Sequence, residues 1–268
     1  MLKFLKKCKR VGLQTIKYLF SSAFVIMSGK RRNSNKYLKT LKNRYAGKRC
    51  FVIGNGPSLT KEDLELLRNE VTFASNRIYK MFDKTDWRPT FYAVFDESVA
   101  SDRDVIKNAN LFDCEGKFFR EQGWYVNHEY KDATYIHSWH DRKYLDEPAF
   151  STDLTKGIYT IATVTYTLIQ LARYMGFTEI YLLGVDHKYA NEIKKDGTVV
   201  KNEGVKSYFG NQQKLENNIV AASWEMELAY QYAEKYSREN GFRIYNATRG
   251  GYLEVFERIS LEMVLEKA

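Results

Sequence analysis

A five-residue run, Arg49-Cys-Phe-Val-Ile53, leads directly into Gly54-Asn-Gly-Pro-Ser-Leu59 and then Thr60-Lys-Glu-Asp63. The apolar stretch predicts a buried strand over Cys50–Ile53. Gly54 and Gly56 permit a tight turn and close approach of the backbone to a ligand. Thr60 supplies an N-cap and Asp63 its capping-box partner, so a helix begins there. Free N–H groups at a helix start favour an anion. Gly54, Asn55, Gly56, Pro57 and Ser58 are therefore read as a nucleotide- or phosphate-binding loop. The spacing is neither a Walker loop nor the full dinucleotide fingerprint, and a strand-to-helix turn that binds nothing has the same local signature.

Downstream, apolar β-rich segments alternate with helical ones, the pattern of a parallel sheet covered by helices. The expected fold is α/β and Rossmann-like, mostly parallel, with helices on both faces. Strands are expected at 50–53, 71–74, 91–95, 134–136, 180–183 and 243–245. Helices are expected near 61–68, 99–108, 159–175, 221–240 and 252–265. Residues 159–175 are apolar nearly all round, as a helix buried against the sheet requires. The polar, turn-rich stretch from about 190 to 218 is long for a connection in a compact domain and is expected to form a lid-like insertion.

Ligands of open α/β sheets bind at the carboxyl ends of the strands, so the residues leaving each strand are the ones to inspect. They are polar: Asn55 after the first strand, Asn76-Arg77 after the second, Asp96-Glu97 after the third, and Asp186-His187 after the segment 180–183. Asn55 and Asn76 are expected to contact ligand. Asp96 and Asp186 could hold a hydrated cation, order loops or act as bases. His187 is the best general-base candidate, because imidazole titrates near neutral pH. The His137-x-x-His140 pair lacks a completing ligand set, so no resident metal is expected.

Charge is unevenly placed. Residues 1–50 hold fifteen Lys and Arg and no acid, and the remainder of the chain carries more acids than bases. The net charge of +9 thus belongs to the N-terminal segment, which does not mark the domain as a nucleic-acid binder. Leu2, Leu5, Cys8, Ile16, Leu19 and Phe20 recur at roughly helical spacing between lysines, as in an amphipathic helix lying on an anionic membrane surface. The longest apolar stretch, 18–27, is too short to span a bilayer. The chain is accordingly divided into a basic arm, 1–48, and a nucleotide-binding domain, 49–268. Three widely spaced cysteines point to a reducing compartment. A cytoplasmic protein held peripherally at the inner face of the membrane through residues 1–30 follows as the expectation, with a solvated basic arm or a cleaved signal peptide as the alternatives.

Four motifs carry a resemblance. Gly54-Asn-Gly-Pro-Ser-Leu59, Asn76-Arg-Ile-Tyr79, Gly176-Phe-Thr-Glu-Ile-Tyr-Leu-Leu-Gly-Val-Asp-His187 and Tyr245-Asn-Ala-Thr-Arg-Gly-Gly251 resemble the family that unites archaeal 6-hydroxymethylpterin diphosphokinase with the flagellin-glycosylating Maf proteins. The first and third motifs also resemble bacterial lipooligosaccharide sialyltransferases. The resemblance implies that Asn55, Gly56 and Asn76 hold a nucleotide, that Lys156 and Gly157 lie near its phosphate, and that Tyr189 and Tyr208 sit on the lid. The histidine of the sialyltransferase lid is replaced by Asn211. The reading that follows is a glycosyltransferase with a nucleotide-activated sugar as donor, such as a CMP-linked nonulosonic acid. Its acceptor is a glycan or a lipid-linked molecule, and it requires no cofactor. The alternatives are a Mg-dependent diphosphokinase and a non-enzymatic nucleotide-binding scaffold.

Overall fold

The computed structural model describes residue 16, residues 18–123, 130–140, 146, 149–209 and 220–266. Leu2, Leu5, Cys8 and Asn211 lie outside these residues. A helical stretch, 18–27, precedes α1 (Lys30–Leu41). The central sheet contains β1 (Arg49–Ile53), β2 (Thr72–Ser75), β3 (Phe91–Val94), β4 (Gly116–Arg120), β5 (Ala133–Ile136), β8 (Glu179–Leu183), β11 (Arg243–Asn246) and β12 (Glu257–Arg258). Their order is β12-β11-β8-β1-β2-β3-β4-β5, and every pairing is parallel. Two further pairs stand apart from it: β6 (Ser138–Trp139) with β7 (Ile158–Tyr159), and an antiparallel hairpin, β9 (Asn191–Ile193) with β10 (Val199–Lys201). The expected α/β sheet with helices on both faces is what forms.

The side-chain alternation of β1 explains the two layers. Cys50 and Val52 point to one face, Phe51 and Ile53 to the other, and all four are buried. The first face is covered by α1, by α5 (Val164–Tyr174) and by α6 (Ser223–Glu239). The second is covered by α2 (Lys61–Leu66), α3 (Glu97–Ala100), α4 (Arg103–Ala109) and α7 (Leu261–Glu266). Helix α2 starts as the sequence predicts: Thr60 caps the Asp63 N–H at 3.2 Å and Asp63 returns a bond to the Thr60 N–H at 3.0 Å. Asp63 also receives the Arg249 guanidinium at 2.7 Å, which ties the β11 exit to this helix start.

Three expectations need correction, and one strand, β4, was not expected. Residue 49 is not a packing boundary, because α1 lies against β5 and buries Leu38 and Leu41 in the core. The fully buried carboxylate of Glu121, after β4, is met by Arg31 of α1 and by the His137 ring at 2.9 Å. Strand β4 was hidden by its charges, Lys117 and Arg120. Both are buried; the Lys117 ammonium lies 5.0 Å over the Phe112 ring. The helix expected from 159 begins only at Val164, since Ile158–Tyr159 pairs with β6 and Thr163 is the cap. The helix expected over 252–265 is confined to Leu261–Glu266, because Glu257–Arg258 adds the last strand at the sheet edge.

Candidate active site

The sheet reverses its direction of growth between β1 and β8. After β1 the chain builds outward through β2 to β5, then returns to place β8 and β11 on the other side of β1. Such a switch point leaves a crevice between loops that diverge to opposite faces, and ligands of open α/β sheets bind there. A cleft of about 730 Å³ opens at this position. It is lined by the exits of β1, β2, β3 and β8, the start of α5 and the lid. With neighbouring strands about 4.8 Å apart, the line from β8 to β3 spans roughly 14 Å, the length of a nucleotide with part of its substituent.

The floor is built by glycine. Gly54 N–H donates to the Leu183 carbonyl at 2.7 Å and Gly56 N–H to the Gly184 carbonyl at 2.9 Å. A Cβ on Gly54 would stand 2.2 Å from the Gly184 oxygen, and one on Gly56 would stand 1.9 Å from Asp186 Oδ2. Close approach, rather than an unusual φ, demands glycine at both positions. Asp186 fills the space that Gly56 leaves: its Oδ2 accepts the Ser58 hydroxyl at 2.7 Å and faces the Ser58 N–H at 3.4 Å. Its carbonyl accepts the Tyr252 N–H at 2.8 Å. Burial pushes its carboxyl above the usual range, and the two Ser58 hydrogen bonds pull it partly back. Asp186 thus braces three strand exits, those of β1, β8 and β11. Ser58 belongs to that brace rather than to the cleft wall, and Pro57 is exposed beside it.

Asn55 and Asn76 come together at the β1–β2 edge, as the sequence implies. Asn55 Nδ2 donates to the Ser75 carbonyl at 3.2 Å, which fixes its amide orientation. Asn55 Oδ1, Asn76 Oδ1 and Ser75 Oγ are buried and have no hydrogen-bonding partner in the protein. Asn76 also holds a left-handed backbone, φ 54, which Asn tolerates better than most residues. Asp96 lines the cleft, but its Oδ1 accepts N–H groups of Ser98 and Val99 at 2.8 and 3.1 Å, as the cap of α3. Among the described residues, no three His, Cys, Asp or Glu side chains gather as a cation site.

His187 lies at the β8 end of the cleft, with φ 56 and its ring edge-on to Tyr230 at 5.7 Å. Its Nδ1 is buried without a partner in the protein. Burial lowers its pKa, so the ring is neutral near pH 7 and one of its nitrogens can take a proton. The lid folds over the floor: Phe209 N–H donates to the Asn55 carbonyl at 3.0 Å, and Ala190 N–H to Ser207 Oγ at 2.9 Å. Tyr189 and Tyr208 face the cleft. Burial raises the Tyr189 phenol well above its usual value, so it remains a donor.

Three expected residues are elsewhere. Lys156 is exposed, 4.0 Å from the Asp153 carboxylate, and Gly157 packs against His137 and Trp139. Arg77 pairs with Asp102, away from the cleft. The cleft wall on this side is made by Thr160 and by 162–165, the start of α5. Thr163 caps this helix by accepting the Thr165 N–H at 3.2 Å, so the helix N-terminus opens toward ligand space. A Thr before an apolar run was the available signal for it. Glu97, at the far end of the cleft, follows the third strand as the sequence shows, whereas its neighbours Tyr18 and Arg120 had no signal local to the sequence.

The profile of the family described as "6-hydroxymethylpterin diphosphokinase MptE-like" matches residues 27–192. No curated protein matches the chain. Among solved structures, the Maf glycosyltransferase from Magnetospirillum magneticum AMB-1 superimposes with a TM-score of 0.50 at 17% identity, over 82% of this chain and 35% of that one. The chain therefore spans about a third of that protein's length. The sialyltransferase CstII from Campylobacter jejuni, in complex with cytidine-5'-monophosphate, gives a TM-score of 0.48 at 16% identity, covering 81% of this chain and 86% of that one.

Proposed function

The chain belongs to the 6-hydroxymethylpterin diphosphokinase MptE-like family, and we propose that it is a glycosyltransferase moving a nonulosonic acid from a CMP donor onto a glycan or lipid-linked acceptor. The observation that carries the reading is the group of buried, unpartnered oxygens at the β1–β2 edge, Asn55 Oδ1, Asn76 Oδ1 and Ser75 Oγ. Buried polar atoms without partners are costly, so this edge suits a ligand that brings its own donors. Ribose hydroxyls and an exocyclic amino group such as that of cytosine are such donors. The α5 N-terminus favours a phosphate.

In this reading the acceptor hydroxyl oxygen attacks the anomeric carbon as the bond from that carbon to the phosphate oxygen breaks. The electron pair leaves on the phosphate of CMP, and the acceptor proton passes to the His187 imidazole. The α5 N-terminus and the lid tyrosines meet the charge that grows on the leaving phosphate. No step is assigned to a metal. Asp96 serves as the cap of α3 and Asp186 as a brace between loops. The basic N-terminal segment would hold the enzyme at the cytoplasmic face of an anionic membrane.

The description of the family itself favours a second reading, a Mg-dependent diphosphokinase using ATP. A thermal-shift series on the full chain separates the two, with CMP and ATP each tested with Mg²⁺ and with EDTA. Stabilisation by CMP that ignores EDTA supports transfer from a CMP donor. Stabilisation by ATP only with Mg²⁺ overturns it in favour of the diphosphokinase, and no shift with either nucleotide favours a scaffold.

A further inference from the structure

The helical stretch 18–27 has two faces with opposite surroundings. Inward, Ser21 and Val25 are buried, and Ser21 Oγ accepts the Gly123 N–H at 3.2 Å. On the same side, the Tyr18 hydroxyl donates to the Glu97 carboxylate, its ring lies 5.1 Å beneath the Arg120 guanidinium, and His140 meets it edge-on at 5.6 Å. Tyr18, Glu97, Arg120 and His140 all line one end of the cleft. This helix therefore forms part of the cleft wall.

Outward, the pattern is the reverse of a helix packed on its own domain. Ile16, Leu19, Phe20, Ile26 and Met27 recur at helical spacing on one side and are exposed, Phe20 by 73% and Met27 by 86%. A continuous apolar stripe of this kind marks a surface that something covers. Beside Ile26, Arg32, Lys36 and Lys39 of α1 share one surface concavity with it. The first fifty residues carry fifteen cations and no acid, so two copies placed face to face would repel. An anionic bilayer satisfies both features, since the apolar stripe enters the headgroup region and the cations meet lipid phosphates.

We propose that the Leu19–Phe20–Ile26–Met27 face docks on an anionic lipid bilayer and so sets the Tyr18–Glu97 end of the cleft at the lipid surface. Docking then presents this end to acceptors anchored in the membrane. Only the meaning of the cleft rests on the transferase reading, and the docking itself is tested without any sugar transfer.

The experiment is sedimentation of the full chain with vesicles of phosphatidylcholine alone or with 30% phosphatidylglycerol, beside the variant Leu19→Glu/Phe20→Glu. Both positions are exposed, so the variant should melt with the parent. The expected result is binding to the anionic vesicles only, at least tenfold weaker in the variant and weakened by salt. Hydrogen exchange on the vesicles should slow at 18–27 and at 97–100, and be unchanged at 191–201. Parent-like binding by the variant, equal binding to both vesicle types, or a lipid-free dimer that the two substitutions abolish would each overturn the proposal. Protection that omits 97–100 would overturn the placement of the cleft at the surface. Loss of vesicle binding with nucleotide stabilisation intact would condemn the docking alone; the converse would condemn the transferase reading alone.

Discussion

Asp186 and Gly56 compete for one volume: a Cβ on residue 56 would stand 1.9 Å from Asp186 Oδ2 and 2.7 Å from the Gly184 carbonyl oxygen. The Asp186 carboxylate is pinned by Ser58, so the loop after β1 and the loop after β8 hold each other in place. Gly56→Ala must push one of them aside. It is expected to lose about 1–3 kcal/mol of stability and most nucleotide binding, read by chemical denaturation and titration calorimetry. Ser58→Ala removes only the hydroxyl bond and should cost about 1 kcal/mol.

The amide oxygens at the β1–β2 edge make a separable prediction. Asn55→Ala and Asn76→Gly should each weaken nucleotide affinity about tenfold, corresponding to roughly 1.4 kcal/mol. The glycine at 76 preserves the left-handed backbone. Asn76→Ala adds a strain cost of about 1 kcal/mol to folding, which a comparison of the two melting curves isolates.

His187→Asn tolerates the same positive φ and removes the imidazole. Transfer should fall about 10²–10⁴-fold with nucleotide binding retained. Burial lowers the His187 pKa below its ordinary 6.5, so the rate should rise with pH through a value under 6.5 and then level off. The linkage has the same sign. Below pH 6.5 the unfolded chain takes the proton more readily, so this group's contribution makes the fold less stable as pH falls from 6.5 through its lowered value. Melting temperatures of parent and variant across pH 5–8 check it.

A chain starting at residue 49 should fail to fold, and one starting at residue 28 should retain a cooperative melt. The shorter one loses Leu38 and Leu41, whose burial stabilises by about 1.5–3 kcal/mol each. It also strips Arg31 from the fully buried Glu121, at a cost of roughly 3 kcal/mol. Circular dichroism of the two chains decides it.

Much of the sheet was legible because its strands are local facts. Phe51, Phe73 and Phe91 sit in short β-rich runs whose burial on both faces leaves a continuous apolar signature. Strand β4 escaped because Lys117 and Arg120 break that signature, and their burial depends on partners distant in sequence, such as the Tyr18 ring under Arg120. That Asn55, Asn76 and His187 line the cleft was legible from their position after strands. Lys156 lies outside the cleft wall because a two-residue pairing with β6 delays the start of α5 by five residues, from 159 to Val164.

The sequence by itself determined the strand-turn-helix at 49–66, the polar strand exits and the separation of charge, since each depends on neighbours within a few residues. Only the tertiary structure decided which exits meet, what Asp186 does, and that α1 belongs to the core. The first two follow from the return of the chain to β8 beside β1 after more than a hundred residues, and the third from the packing of α1 against β5. That crossover joins Gly56 to Asp186, and no local propensity encodes it.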